Sequence, residues 1–221
     1  YEQERRFGNR KHESGSNAWR DLTFHKGFLV AACKNYNVKS FSFNTSSGEI
    51  KYLDQDYGMG HDNNAFRLTS NDDFVFVANY DRGIDVYFVD ATGSLNWKAN
   101  TDPGQVHDVA VSGSVLVAAC HTTGIKSYTI NGSTGALTLV TTVYNDNRSI
   151  WNVAIREHEG IVYGAAQSDG VNSYSINSSG TLVYLGTAYS SQDASINLAN
   201  EYGMGKMRVM YSDHNEYGAA F

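Results

Sequence analysis

The stretch VFVANYDRGIDVYFV, residues 75–89, decides the fold. It opens as a short apolar strand, turns through Tyr80-Asp81-Arg82-Gly83, and resumes as an alternating strand, which is the pattern of a β-hairpin. Three further stretches align to it without gaps: LVAACKNYNVKSFSF (29–43), LVAACHTTGIKSYTI (116–130) and VYGAAQSDGVNSYSI (162–176). The β-branched residues Val38, Ile84, Ile125 and Val171 fall 46, 41 and 46 residues apart. The aromatics Phe41, Tyr87, Tyr128 and Tyr174 keep the same intervals.

Working outward, each hairpin is followed by a turn with glycine (Gly48, Gly93, Gly135, Gly180) and then by a half-apolar strand: EIKYL, SLNWK, ALTLV or TLVYL. Another strand precedes each hairpin: WRDLTF, FRLTS, HDVAV, WNVAI and, in a fifth copy, INLAN. Their polar anchors Asp21, Arg67, Asp108, Asn152 and Asn197 are spaced 46, 41, 44 and 45. The unit is therefore four strands, repeated nearly five times, and no helical periodicity competes with it. Units of this size and strand count predict an all-β fold, a β-propeller of four-stranded antiparallel blades with about five blades in this chain. Each small sheet buries its faces only by stacking on the next. The propeller domain is expected over residues 18–221. Residues 1–17 form a charged lead, in which 3–7 either supply the outer strand that the fifth unit lacks or stay disordered.

The composition fits sheets buried on both faces. Of 221 residues only 18% are charged, and 17 Lys and Arg against 23 Asp and Glu leave a net charge of −6. An acidic chain argues against nucleic acid held through phosphate contacts. No apolar run reaches the roughly 18 residues of a membrane helix, and no apolar segment follows the charges of the first residues as a signal peptide requires. Cys33 and Cys120 sit at equivalent places of different repeats, as buried free thiols rather than a disulfide. No Cys/His spacing for a metal is present, and no cofactor is expected. Asn44, Asn131, Asn147 and Asn177 begin N-x-S/T triplets. Three of them recur at one turn, where turn chemistry accounts for them, and they lean only weakly toward an extracellular or surface location.

VFVANYDRGIDVYFVDATGSL (75–95) resembles the repeats of the lactonase-type seven-bladed propellers, whose blades carry V-A-N-Y…G…V…D…G-x-L. HDVAVSGSVLVAAC (107–120) is similar to bacterial propeller repeats of the same broad group. Gly60-His61 with Asp81, Ile84 and Tyr87 also loosely resembles a WD repeat, with Tyr or Phe in place of its tryptophan.

The first strand of each blade should line the axis. Along it Leu22, Phe24, Leu68, Val109, Val111, Val153, Ile155 and Leu198 form a row expected to pack between blades. The opposite row starts with the anchors, so Asp21, Arg67, Asp108, Asn152 and Asn197 should ring one mouth. Such a ring can be an ion-paired plug, with Arg67 between two carboxylates, a polar-ligand site, or an oxygen-rich metal site. An arginine in it disfavours the metal. One residue earlier stand Arg20, Phe66, His107, Trp151 and Ile196, which read mostly as packing residues. His107 is the natural general base near the mouth. The lactonase resemblance implies acid/base chemistry at His107, Arg67 and Asp108, with Arg67 or Arg20 holding a carboxylate substrate. A ligand at the mouth is expected to meet Asp21, Arg67, Asp108, Asn152, Asn197 and Trp151. His121 and His214 fall in hairpin turns.

No nucleophile elbow, zinc-protease, EF-hand or phosphate-loop motif is present. The main expectation is therefore a non-catalytic propeller that presents its axial mouth and loops to a protein or small polar ligand. The alternatives are a lactonase- or isomerase-like enzyme, and a carbohydrate-binding or adhesin propeller.

Overall fold

The computed structural model describes residues 18–34, 37–58, 64–144, 149–166, 170–188, 194–196 and 209–211. Blade 1 comprises β1 (Trp19–His25), β2 (Phe28–Cys33), β3 (Asn37–Phe43) and β4 (Ile50–Asp56). Blade 2 comprises β5 (Ala65–Ser70), β6 (Val75–Asn79), β7 (Gly83–Val89) and β8 (Leu95–Thr101). Blade 3 is β9 (Asp108–Ser112), β10 (Val115–Ala119), β11 (Ile125–Ile130) and β12 (Leu137–Val143). Blade 4 is β13 (Ile150–Arg156), β14 (Ile161–Ala166), β15 (Gly170–Ile176) and β16 (Leu182–Ala188). Every one of the four sheets is an antiparallel meander in chain order. A short pair, β17 (Ala194–Ile196) with β18 (Val209–Tyr211), begins the fifth repeat, and β17 lies against β14 and β15. The fold is a β-propeller. Among the described residues no helix is long and apolar enough to cross a membrane.

The repeat spacing is realised as strand register. Phe41, Tyr87, Tyr128 and Tyr174 stand directly across from Leu29, Val75, Leu116 and Val162 in their blades. The core consists of the seams between blades. Val30, Ala32 and Val38 of blade 1 pack on Leu68, Val75, Val77 and Tyr87 of blade 2. Phe76, Ile84 and Val86 meet Val109, Leu116 and Tyr128 at the next seam. Val117 and Ile125 meet Val153, Val162 and Tyr174 at the third. Each such side chain contributes on the order of 1.5–3 kcal/mol by leaving water.

Polar bonds fix the seams as well. The Asp54 carboxylate accepts the Leu95 amide of the next blade at 2.8 Å, and the Ser40 hydroxyl donates to the Gly93 carbonyl. The repeated turn asparagines have a structural duty: Oδ1 of Asn44, Asn131 and Asn177 accepts the amide two residues on, at 2.9, 3.0 and 3.1 Å, and Asp90 does the same in blade 2. Gly83 is required where it stands. Its φ is +80°, and a Cβ there would run into the Thr101 carbonyl oxygen of the adjacent strand. Cys33 and Cys120 are buried free thiols.

Two residues of the expected inter-blade row depart from it. Leu22 and Phe24 are 51% and 50% exposed, because no described residue covers that face of blade 1. The segment 1–17 and most of the fifth repeat lie outside the described residues.

Candidate functional site at the axial mouth

Alternation alone would put successive residues of an inner strand on opposite faces. The structure breaks the alternation at the start of each inner strand. Register slips between Trp19 and Asp21, between Ala65 and Arg67, and between Ile150 and Asn152. These are β-bulges, which insert one residue and re-aim its side chain. Arg20, Phe66 and Trp151 are the inserted residues. His107 holds the same place in blade 3, immediately before β9, with its amide bonded to the Ala119 carbonyl at 2.9 Å.

The bulges gather these side chains into a contiguous row at one end of the axis. The Arg20 guanidinium lies 4.3 Å from the Phe66 ring centre, and Arg67 lies 5.3 Å from it. Phe66 meets His107 edge-on at 5.4 Å, and His107 meets Trp151 at 4.3 Å. Two residues from the β6–β7 and β10–β11 turns complete the cluster. Tyr80 touches His107 edge-on at 4.8 Å, and His121 stacks on His107 at 5.0 Å. Arg20 also donates to Asn64 at 2.8 Å.

The anchors do something else. The two oxygens of Asp21 accept the Leu22 amide at 2.7 Å and, across the seam, the Leu68 amide at 3.0 Å. Asp108 repeats this with Val109 at 3.0 Å and Val153 of blade 4 at 3.1 Å. Each carboxylate thus staples its own blade to the next through backbone amides. Arg67 directs Nη1 to the carbonyls of Phe66 and Arg20, at 3.0 and 3.4 Å. Asn152 is buried, and its Oδ1 has no protein partner among the described residues. Asn197, the fifth anchor, lies outside the described residues, as do His61 and His214. Among the described residues no group of three or more His, Cys, Asp and Glu side chains is placed to hold a metal ion.

Electrostatically the mouth is cationic and aromatic. His107 is 2% exposed. Burial, reinforced by His121, Arg67 and Arg20, lowers its imidazole to about 3, so it is neutral at physiological pH. Both of its ring nitrogens, and the Trp151 indole nitrogen, are buried without a protein partner among the described residues. Unmet buried polar atoms are costly unless water or a ligand meets them. His121 is only half-buried, and burial lowers its imidazole from the ordinary value. A shallow depression at the β3–β4 turn, lined by Ser42, Asn44, Glu49 and Lys51, lies at the other end of blade 1 and holds no comparable group.

Of the residues expected at the mouth, the structure brings Arg67, His107 and Trp151 into one cluster, joined by Arg20 and Phe66. Tyr80 and His121 are the members the inner-strand pattern does not reach, since they come from turns. The signal for them was their shared position, just after the apolar strand that opens each hairpin.

A family model described as a seven-bladed β-propeller lactonase matches residues 18–110, which span blades 1 and 2 and the start of β9. A solved structure of a candidate 6-phosphogluconolactonase from Bacteroides uniformis is 16% identical, covering 90% of this chain and 69% of its own, with a TM-score of 0.65. One from Bacteroides fragilis is 17% identical over the same shares, with a TM-score of 0.64. The computationally designed Ika4 protein is 17% identical over 75% of this chain and 95% of its own, with a TM-score of 0.57. No curated protein matches the chain in sequence. At these identities the structural likeness speaks for architecture, and with the family match it makes this chain similar to the lactonase-type β-propellers.

Proposed function

We propose that the axial mouth binds a small, polyhydroxylated carboxylate or its lactone, and that its chemistry is hydrolysis of the lactone ring. The observation that carries this reading is the bulge-built row Arg20–Phe66–His107–Trp151, flanked by Arg67 and edged by the half-buried His121. The family match and the names of the Bacteroides neighbours support the same class.

Arginine suits a carboxylate or phosphate because its planar fork donates two parallel bonds. Arg20 and Arg67 would hold that group. Trp151 and Tyr80 offer flat apolar surface to the sugar ring, with polar edges for its hydroxyls. In hydrolysis, water oxygen bonds to the lactone carbonyl carbon, the ring C–O bond breaks, and one proton moves from water to the departing alkoxide. A neutral imidazole can carry that proton. The guanidinium groups favour the negative charge that builds on the carbonyl oxygen.

The test is proton release from glucono-δ-lactone and its 6-phosphate, followed with a pH indicator against the spontaneous rate. The expected result is saturable turnover that falls at least tenfold in Arg67→Ala. A rate equal to the spontaneous one, together with no binding of gluconate, returns the mouth to the non-catalytic scaffold reading.

A further inference from the structure

The mouth contains two imidazoles in contact, and their surroundings differ. His107 is closed in by four rings: Phe66, Tyr80, His121 and Trp151, at 5.4, 4.8, 5.0 and 4.3 Å. It is 2% exposed. A proton placed on it would lie beside two guanidinium groups in a site shut off from water. His121 stands at the edge of the same cluster, half-buried, with one face on His107 and its edge toward Trp151 at 5.8 Å.

The backbone of His121 is also unusual. Its φ is +48°, the left-handed region that a residue with a Cβ seldom enters. Backbone strain of this kind gathers at functional sites. The conformation is held from both sides: the His121 carbonyl accepts the Gly124 amide at 3.3 Å within its turn and the Ile150 amide of blade 4 at 3.2 Å. Glycine stands four residues before the strand-pairing β-branched residue in none of the hairpins, so the histidine is not filling a glycine's place.

We infer that His121 is the reactive imidazole of the mouth, the one a ligand touches and the carrier of the proton, while His107 is the neutral support on which it stacks. This rests on the lactone reading for the chemistry, though not for which imidazole is accessible. The ring nitrogen of His121 takes the proton from water as the water oxygen bonds to the carbonyl carbon, and returns it to the alkoxide as the ring C–O bond breaks. The groups facing it are His107 ahead of β9 and Trp151 on β13, with Tyr80 of blade 2 against His107 and the cations Arg20 and Arg67 beyond His107.

Two measurements test the assignment. The first maps diethyl pyrocarbonate acylation of the whole chain by mass spectrometry. His121 should react at least tenfold faster than His107, and the reverse order would overturn the proposal whether or not the protein hydrolyses lactones. The second follows the imidazole NMR signals while sodium gluconate is added, in the parent, His121→Asn and His107→Gln. Asparagine tolerates the left-handed backbone, so His121→Asn keeps the turn. Gluconate should shift the His121 signals and bind at least tenfold more weakly to His121→Asn. Binding lost in His107→Gln but kept in His121→Asn would refute the assignment. Fast acylation of His121 with no response to gluconate would sink the lactone reading and uphold His121 as the reactive imidazole.

Discussion

Blades 1 and 2 are built from the same pattern, yet one of them has a bare face. Leu22 and Leu68 hold the same position, 46 residues apart, but Leu22 is 51% exposed and Leu68 is 1% exposed. Ile50 and Leu95 differ in the same way, at 41% and 6%. The covering on blade 2 is supplied by Val30, Ala32 and Val38 of blade 1. On its bare face blade 1 instead packs its own aromatics together, with Phe41 touching Trp19 at 5.8 Å and Tyr52 at 6.0 Å. A blade's apolar pattern is thus a demand for a neighbour rather than a core in itself.

Paired substitutions at matched positions sharpen the contrast. Leu68→Ala should cost about 3 kcal/mol through lost burial and a cavity, while Leu22→Ala should cost less than about 1 kcal/mol. Urea unfolding of the two variants checks this, and equal midpoints would mean that the face of blade 1 is covered in solution. The next pair is Asp85 and Lys39. Asp85 is buried and accepts Asn79, Trp97 and Asn100 at 2.9, 3.2 and 2.9 Å, whereas Lys39 lies over the Trp19 ring at 5.2 Å. Asp85→Ala strands three donors and should cost about 2–3 kcal/mol, against less than about 0.5 for Lys39→Ala, read by thermal unfolding.

The seam staples give a local effect. Asp108→Ala should cost about 1.5 kcal/mol and speed hydrogen exchange at the Val109 and Val153 amides, leaving Leu22 and Leu68 as slow as before. Asp21→Ala should show the converse, and exchange that rises at all four amides would mean the seams open together. The smallest effect concerns His107, whose place in blade 1 is taken by the non-titrating Arg20. A histidine held below its unfolded value binds fewer protons folded than unfolded. Its cost is therefore absent above pH 6.5 and grows as the pH falls toward about 3. Between pH 7 and 5.5 the parent should lose about 1 kcal/mol more stability than His107→Gln, measured as the difference in melting temperature. A parallel fall in both proteins would place the acid sensitivity elsewhere, for instance at the buried His25.

The propeller was legible because its determinants are periodic. The 46- and 41-residue intervals of Phe41, Tyr87 and Tyr128 translate directly into matching cross-strand pairs. The mouth was legible only in part. His107, Arg67 and Trp151 stood out by type, but a one-residue bulge leaves no mark in an alternating pattern, so Phe66 read as packing and Arg20 entered only as an alternative to Arg67 for holding a carboxylate. Asp21 and Asp108 stood out as charges beside Arg67. The partners they bond across the seams are backbone amides, which every sequence supplies and none advertises. Tyr80 and His121 reach the site from turns, and the left-handed conformation of His121 is fixed by a bond to another blade.

The staples make the seams of the ring unequal. Asp21 and Asp108 lie 87 residues apart. The same step carries Cys33 onto Cys120 and Lys39-Ser40 onto Lys126-Ser127, whereas blade 2 has Arg67, Asn79 and Asp85-Val86 at those places. Blade 3 is therefore a closer copy of blade 1 than its own neighbour is. The carboxylate staple therefore recurs at alternate seams, from blade 1 to blade 2 and from blade 3 to blade 4, while the seam between blades 2 and 3 carries the Arg67 guanidinium at that place.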